Sequence, residues 1–198
     1  MINNLSRCLL IAVFVSSFAA DTKAELLLNP GFETGGSDWG SYGSAGFHEF
    51  FGPNGHASLF MDNPGNFGGV FQVGIGGSEN VEYLFELTDV RIEDNAAANV
   101  EFGLEFMAGD DNTKLGESLT SIPLSPTGDG LSFSMSALAV PGTAFVRPII
   151  KFDNVTSTAA GQENLFVFEA SLTAVPEPSA LIAISVLGLG ATLIRRRA

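Results

Sequence analysis

Cysteine is nearly absent: Cys8 is the one thiol in 198 residues. No internal disulfide can form, and a zinc site built on several Cys ligands is excluded. Positive charge is also scarce, with 9 Lys and Arg against 22 Asp and Glu, a net of −13. Binding to nucleic acid needs clustered cations for the phosphates, so that class of partner is excluded. Charged residues make up only 16% of the chain. Mean hydropathy is +0.28, too apolar for an acidic disordered tail. Catalytic signatures are missing as well. There is no G-x-S-x-G elbow, and Gly74-Ile75-Gly76-Gly77 lacks the Lys-Ser/Thr of a phosphate loop. His48-Glu49 opens an H-E-x-x-H run, but Gly52 stands where the second His belongs. The expectation is a protein that is not an enzyme. A secreted glycoside hydrolase is the weakest alternative, because paired carboxylates meet only in three dimensions.

Phe and Gly are abundant, at 17 and 23 residues, which suits a packed, turn-rich β domain. Period-2 alternation dominates residues 25–174. Val100, Phe102, Leu104 and Phe106 share one face, with Glu101 and Glu105 on the other. Leu131, Phe133, Met135 and Ala137 alternate with three serines, and Tyr83, Phe85 and Leu87 alternate with Glu82, Glu86 and Thr88. Further strands are expected at 26–28, 48–51, 58–61, 70–73, 145–152 and 165–172. Pro148 marks its strand as an edge or a bulge. One greasy and one polar face per strand implies antiparallel sheets packed face to face. The expectation is an all-β, jelly-roll-like antiparallel β-sandwich of eight or nine strands, plus a C-terminal transmembrane helix. This middle holds four cations (Arg91, Lys114, Arg147, Lys151) and 20 acids, four minus twenty giving −16. The basic ends mask a more acidic body.

Both ends read as addresses, which divides the chain into 1–24, 25–174 and 175–198. Arg7, the apolar run Cys8 to Val15 and the small residues after it make a secretory signal peptide. Signal peptidase cleavage fits after Ala19 or after Ala24. At the other end, Val175-Pro176-Glu177-Pro178 precedes an apolar run from Ala180 to Ile194 and then Arg195-Arg196-Arg197. Fifteen residues at about 1.5 Å each give roughly 22 Å of helix, short for a span, with the arginines held on the cytoplasmic side. These three parts, in this order, resemble the PEP-CTERM sorting signal. The resemblance implies export and transient anchoring in the inner membrane of a Gram-negative bacterium. Recognition by an exosortase-type membrane protease near 176–178 follows, then delivery to the cell surface or extracellular matrix. The same tail is also known as an ice-binding protein C-terminal domain, a label that gives no reason to infer ice binding.

A second resemblance lies in the middle. Leu28-Asn29-Pro30-Gly31-Phe32-Glu33 followed by Trp39, then Gly69-Val70-Phe71-Gln72, then Phe168-Glu169-Ala170-Ser171-Leu172 are similar to carbohydrate-binding modules related to families 4 and 9, which are galactose-binding-like jelly rolls. The resemblance implies a structural calcium held by Glu33 and Glu169, where the first and last strands meet. It also makes polysaccharide, including exopolysaccharide, a candidate partner. Trp39 sits where that family has a core Trp. Retained sugar binding would use Tyr42, Phe47, Phe50, Phe51 and Phe67. Asp110-Asp111-Asn112-Thr113 lacks calcium-loop spacing and reads as a turn. His48 and His56 read as polar loop residues.

Overall fold

In the computed structural model, residues 24–48, 55–61, 63–92, 97–123, 130–157 and 164–175 are described. They form ten strands: β1 (Trp39–Gly43), β2 (Ala45–His48), β3 (His56–Phe60), β4 (Gly68–Gln72), β5 (Glu82–Ile92), β6 (Ala97–Met107), β7 (Lys114–Ser121), β8 (Leu131–Leu138), β9 (Phe145–Ser157) and β10 (Asn164–Val175). Two five-stranded sheets face each other, ordered β1-β4-β9-β6-β7 and β2-β3-β10-β5-β8. Every strand pairing is antiparallel. Strands β3 to β10 interleave in jelly-roll order, and β1 and β2 add one strand to each sheet. No helix among the described residues is long and apolar enough to cross a membrane. The signal peptide, the expected transmembrane helix at 180–194 and most of the sorting segment lie outside the described residues.

The alternating positions build the core. Phe85, Leu87, Phe102, Leu104 and Leu172 are fully buried between the sheets, and the rings of Phe85 and Phe102 lie 5.8 Å apart. Ten strands replace the expected eight or nine. The additions are β1 and β7, whose sequences WGSYG and KLGESLTS carry no clean apolar alternation; the strand expected at 48–51 meets β2 (Ala45–His48) only at His48, and 49–51 lie outside the described residues. Both additions are edge strands, so only part of each side chain row meets the core. Residues 26–28 form no named strand; a single bridge from Glu25 to Thr173 tacks this segment to β10.

Pro148 stands inside β9, which is central in its sheet. The ladder to β4 stops at Phe71↔Ile149, one residue short of it, while Pro148 still pairs with Leu104 of β6. The strand is therefore an edge on one side at that point, which accommodates a residue without an N–H. The two histidines are not loop residues. His48 and His56 are Cα partners in the β2–β3 ladder. His56 is only 2% exposed, with Phe166 and Phe168 at 5.1 and 5.2 Å.

Candidate binding face

The opening motif is a structural knot. Asn29 and Phe32 adopt left-handed backbone, with φ of 52° and 54°. Asn tolerates that region because its side chain bonds locally. Here Asn29 Nδ2 donates to the carbonyls of Gly35 and Ser37, at 3.0 and 3.1 Å. Phe32 is fully buried and meets Trp39, ring centroids 5.0 Å apart. Trp39 Nε1 donates to the carbonyls of Leu28 and Asn29. The core role expected of Trp39 is what its 6% exposure shows.

Trp39 points inward from β1, so Tyr42 points out, onto the exterior of the β1-β4-β9-β6-β7 sheet. Register places Gly69 opposite Tyr42 and opposite Lys151, which in turn faces Glu101. The next row outward-facing is Gly40, Phe71, Ile149, Gly103 and Leu119, and the one beyond it is Arg147, Glu105 and Glu117. Glycine is needed at Gly69 and Gly40 because rings lie across them. A Cβ on Gly69 would come within 2.9 Å of the Tyr42 ring, and one on Gly40 within 2.7 Å of the Phe71 ring. The two rings interlock across β1 and β4, centroids 6.2 Å apart.

Three of the four cations in the body gather on this face. Lys114 Nζ reaches Glu117 at 2.8 Å and Glu105 at 3.3 Å. Lys151 pairs with Glu101 at 3.4 Å. Arg147 Nη1 lies 3.5 Å from Glu105, and its Nη2 donates to the Asp111 carbonyl at 2.6 Å. The guanidinium carbon sits 5.7 Å from the Phe71 centroid, within range of a cation–π contact. Asp111 is itself anchored, accepting the Gly74 N–H at 2.9 Å. The hydrogen bond from Lys114 holds the Glu117 carboxyl below its ordinary range, and that same bond raises the Lys114 ammonium. Burial pushes the Tyr42 phenol up, and the charges of Glu105 and Asp153 add to it. Tyr42 therefore stays a neutral hydroxyl at physiological pH, able to donate and accept. The face offers two rings, a guanidinium, two ammonium groups and several carboxylates on rigid strands, a surface suited to hydroxyl-rich ligands.

Of the expected ligand residues, Tyr42 is on this face, 37% exposed. Phe67 is 59% exposed and immediately precedes β4, its carbonyl accepting the Ser44 N–H. Phe47 is placed elsewhere: it belongs to β2 in the other sheet, and its ring stacks on Phe32 at 6.0 Å. Phe50 and Phe51 lie outside the described residues. Phe71, Arg147 and Glu105 join Tyr42 only through strand pairing, so spacing along the chain carries no sign of them.

Glu33 and Glu169 are both exposed. The ends of the body do meet, since the Ala170 N–H donates to the Pro30 carbonyl at 2.9 Å. Calcium takes six to eight oxygens. Among the described residues no group of three or more His, Cys, Asp or Glu side chains could hold a metal ion. The two exposed glutamates would supply only part of such a donor set, the rest coming from backbone carbonyls and water. The Asp110 turn is as expected: its carboxylate accepts from the Asn112 N–H and from the Thr113 N–H and hydroxyl. Of the sorting motif, Val175 closes β10 opposite Glu82; Pro176, Glu177, Pro178, Arg195, Arg196 and Arg197 lie outside the described residues.

No protein-family model and no curated protein matches this sequence. Solved structures do share its fold. The enzymatically active domain of tailspike protein 4 of bacteriophage CBA120 is similar with a TM-score of 0.59 at 8% identity, over 76% of this chain and 21% of that one. A family 61 carbohydrate-binding module in complex with β-1,4-galactotriose gives 0.54 at 12% identity, over 77% of this chain and 99% of the module. A family 16 carbohydrate-binding module gives 0.56 at 11%, over 75% and 99%. At such identities the likeness is one of fold alone, a β-sandwich found in carbohydrate-binding modules and in an enzymatically active tailspike domain.

Proposed function

We propose that this chain is an exported, noncatalytic β-sandwich that holds polysaccharide on the exterior of its β1-β4-β9-β6-β7 sheet. The observation that carries the reading is the face itself. Tyr42 and Phe71 lie beside Arg147, Lys114 and Lys151, each cation paired to carboxylates. Rings of this kind supply apolar area for the faces of pyranoses, and the ion-paired groups supply donors and acceptors for hydroxyls. That two carbohydrate-binding modules match over nearly their whole length supports the reading without naming a sugar. A glycan array tests it: binding to soluble-competable glycans that Tyr42→Ala and Arg147→Ala both weaken supports the proposal, and silence across the array overturns it.

The sequence at 1–24 and 175–198 supports the delivery half of the proposal. Signal peptidase removes the first segment, the apolar run after Pro178 holds the chain in the inner membrane, and an exosortase-type protease acts at Pro176-Glu177-Pro178. The body then resides at the cell surface or in the extracellular matrix, where exopolysaccharide is at hand. Mass spectrometry of the protein from separated cell fractions tests this. Loss of residues 1–19 and of Arg195-Arg196-Arg197 from the extracellular form is the expected result; an intact chain in the medium would contradict it.

A further inference from the structure

Four strands are sheet edges: β1 and β7 in one sheet, β2 and β8 in the other. Folded proteins protect edges with short strands, charges or proline, because unpaired N–H and C=O groups invite another strand. Three of these edges show such protection. β1 and β2 have five and four residues, and β7 carries Lys114 and Glu117. β8 does not. It is eight residues, LSFSMSAL, with no charge and no proline. Among the described residues no strand pairs with it on its outer side.

We infer that β8 pairs with β8 of a second copy of this chain, joining two five-stranded sheets into one of ten strands around a twofold axis. The sequence of β8 fits itself. Opposed residues of an antiparallel pair lie on the same face. Its outer face is Ser132, Ser134, Ser136 and Leu138, all exposed, and its inner face is Leu131, Phe133, Met135 and Ala137. A twofold axis at Ser134 sets Ser134 against Ser134 and Ser132 against Ser136. It also sets Leu131 against Ala137 and Phe133 against Met135. Serine meets serine at three of the four outer positions, Leu138 lying over Gly130 just before the strand, and apolar meets apolar at every inner one. Cross-strand hydroxyl and apolar pairs of this kind stabilise antiparallel ladders. Moving the axis to Met135 instead sets Ser132 against Leu138, a poorer match. Charge favours a second copy on this edge above the others. The body carries −16, yet β8 carries none; Glu82, Glu86 and Asp89 sit one strand back on β5, where Glu82 accepts the Ser136 hydroxyl at 2.6 Å and Asp89 lies beside Gly130. The binding face belongs to the opposite sheet, so the pairing leaves it open in both copies.

Cysteine cross-linking in the full chain tests the pairing and its register. Cys8→Ser removes the native thiol. Ser134→Cys then sets two thiols on directly opposed residues, whose Cα atoms in an antiparallel pair stand about 4.5–5.5 Å apart, within disulfide range. Ser121→Cys, exposed on the protected β7 edge, is the control. The expected result is an oxidised dimer from Ser134→Cys formed about tenfold faster than from the control. A mixture of Ser132→Cys and Ser136→Cys chains should cross-link to each other faster than either does to itself. Adding Ser134→Lys to both chains puts two like charges against each other and should abolish that cross-link, while an unchanged melting curve shows the fold intact. Equal rates at Ser134 and Ser121, or cross-linking that survives Ser134→Lys, would overturn the inference, as would capture of an unrelated peptide at β8 in place of the second copy.

Discussion

Gln72→Leu is the substitution that most directly weighs how the N-terminal segment is held. Gln72 is fully buried in β4. Its Oε1 accepts the Leu28 N–H at 2.9 Å, and its Nε2 donates to the Leu28 carbonyl at 2.7 Å. Leucine of similar size removes both bonds. The Leu28 carbonyl keeps a donor, Trp39 Nε1 at 3.1 Å, but the N–H loses its acceptor. An orphaned, partly buried donor costs about 1–3 kcal/mol, so we expect a loss of about 2 kcal/mol. In a body of this size that lowers Tm by about 4–8 °C. Trp39→Phe alone leaves the same carbonyl with Gln72 still bound. Combined, the two changes strip it of both donors, so the double variant should lose about 1 kcal/mol more than the sum of the singles. Urea unfolding of the four proteins measures all of this. A Gln72→Leu loss under about 0.5 kcal/mol, together with strict additivity, would refute the reasoning.

Phe102→Ala empties a fully buried site between the sheets, and urea unfolding should show a loss of about 3–5 kcal/mol. The Asp110 carboxyl is lowered to about 2, first by the Thr113 N–H, then by the Thr113 hydroxyl and the Asn112 N–H. A depressed carboxylate stabilises above its unfolded pKa. That contribution is therefore present at neutral pH and is lost as pH falls from about 4 toward 2. An NMR titration should show its midpoint below that of other exposed aspartates, and Thr113→Val should raise it. Tyr42→Ala and Arg147→Ala should each weaken glycan binding about tenfold, a loss on the scale of one ring or cation contact, with the β-sheet circular dichroism signal retained; calorimetry reads the binding. Melting curves in calcium and in EDTA should coincide, and a midpoint raised by calcium would restore a metal role for Glu33 and Glu169.

Long internal strands were readable in the sequence because burial on one side writes itself as alternation. Val100 to Phe106 and Tyr83 to Leu87 both point inward as that pattern requires. Edge strands write a weaker record. β7 faces solvent along much of its length, and its exposed Lys114, Leu115 and Thr120 obey no alternation. Pro148 argued correctly for a local edge, yet the strand that holds it is central, because pairing partners end at different residues on its two sides. Tyr42 was a legible aromatic near the start of the body. Its companions were not. Phe71 is 29 positions away along the chain and Arg147 farther still, and only the β1-β4-β9 order brings them together. Phe47 groups with Tyr42 by nearness along the chain, but the chain changes sheets at Ser44, which sends the two rings to opposite layers.

Strand β10 runs between β3 and β5, in the heart of its sheet, and the Glu25 carboxylate grips its Leu172 N–H at 3.0 Å. The piece that completes this sheet is thus the last of the described strands to be synthesised. Until Val175 has emerged, β3 and β5 have no neighbour between them, and the half-built layers expose their phenylalanines. Such long-range closure is slow and comes late. The sheet therefore closes only when Asn164–Val175 pairs with both β3 and β5.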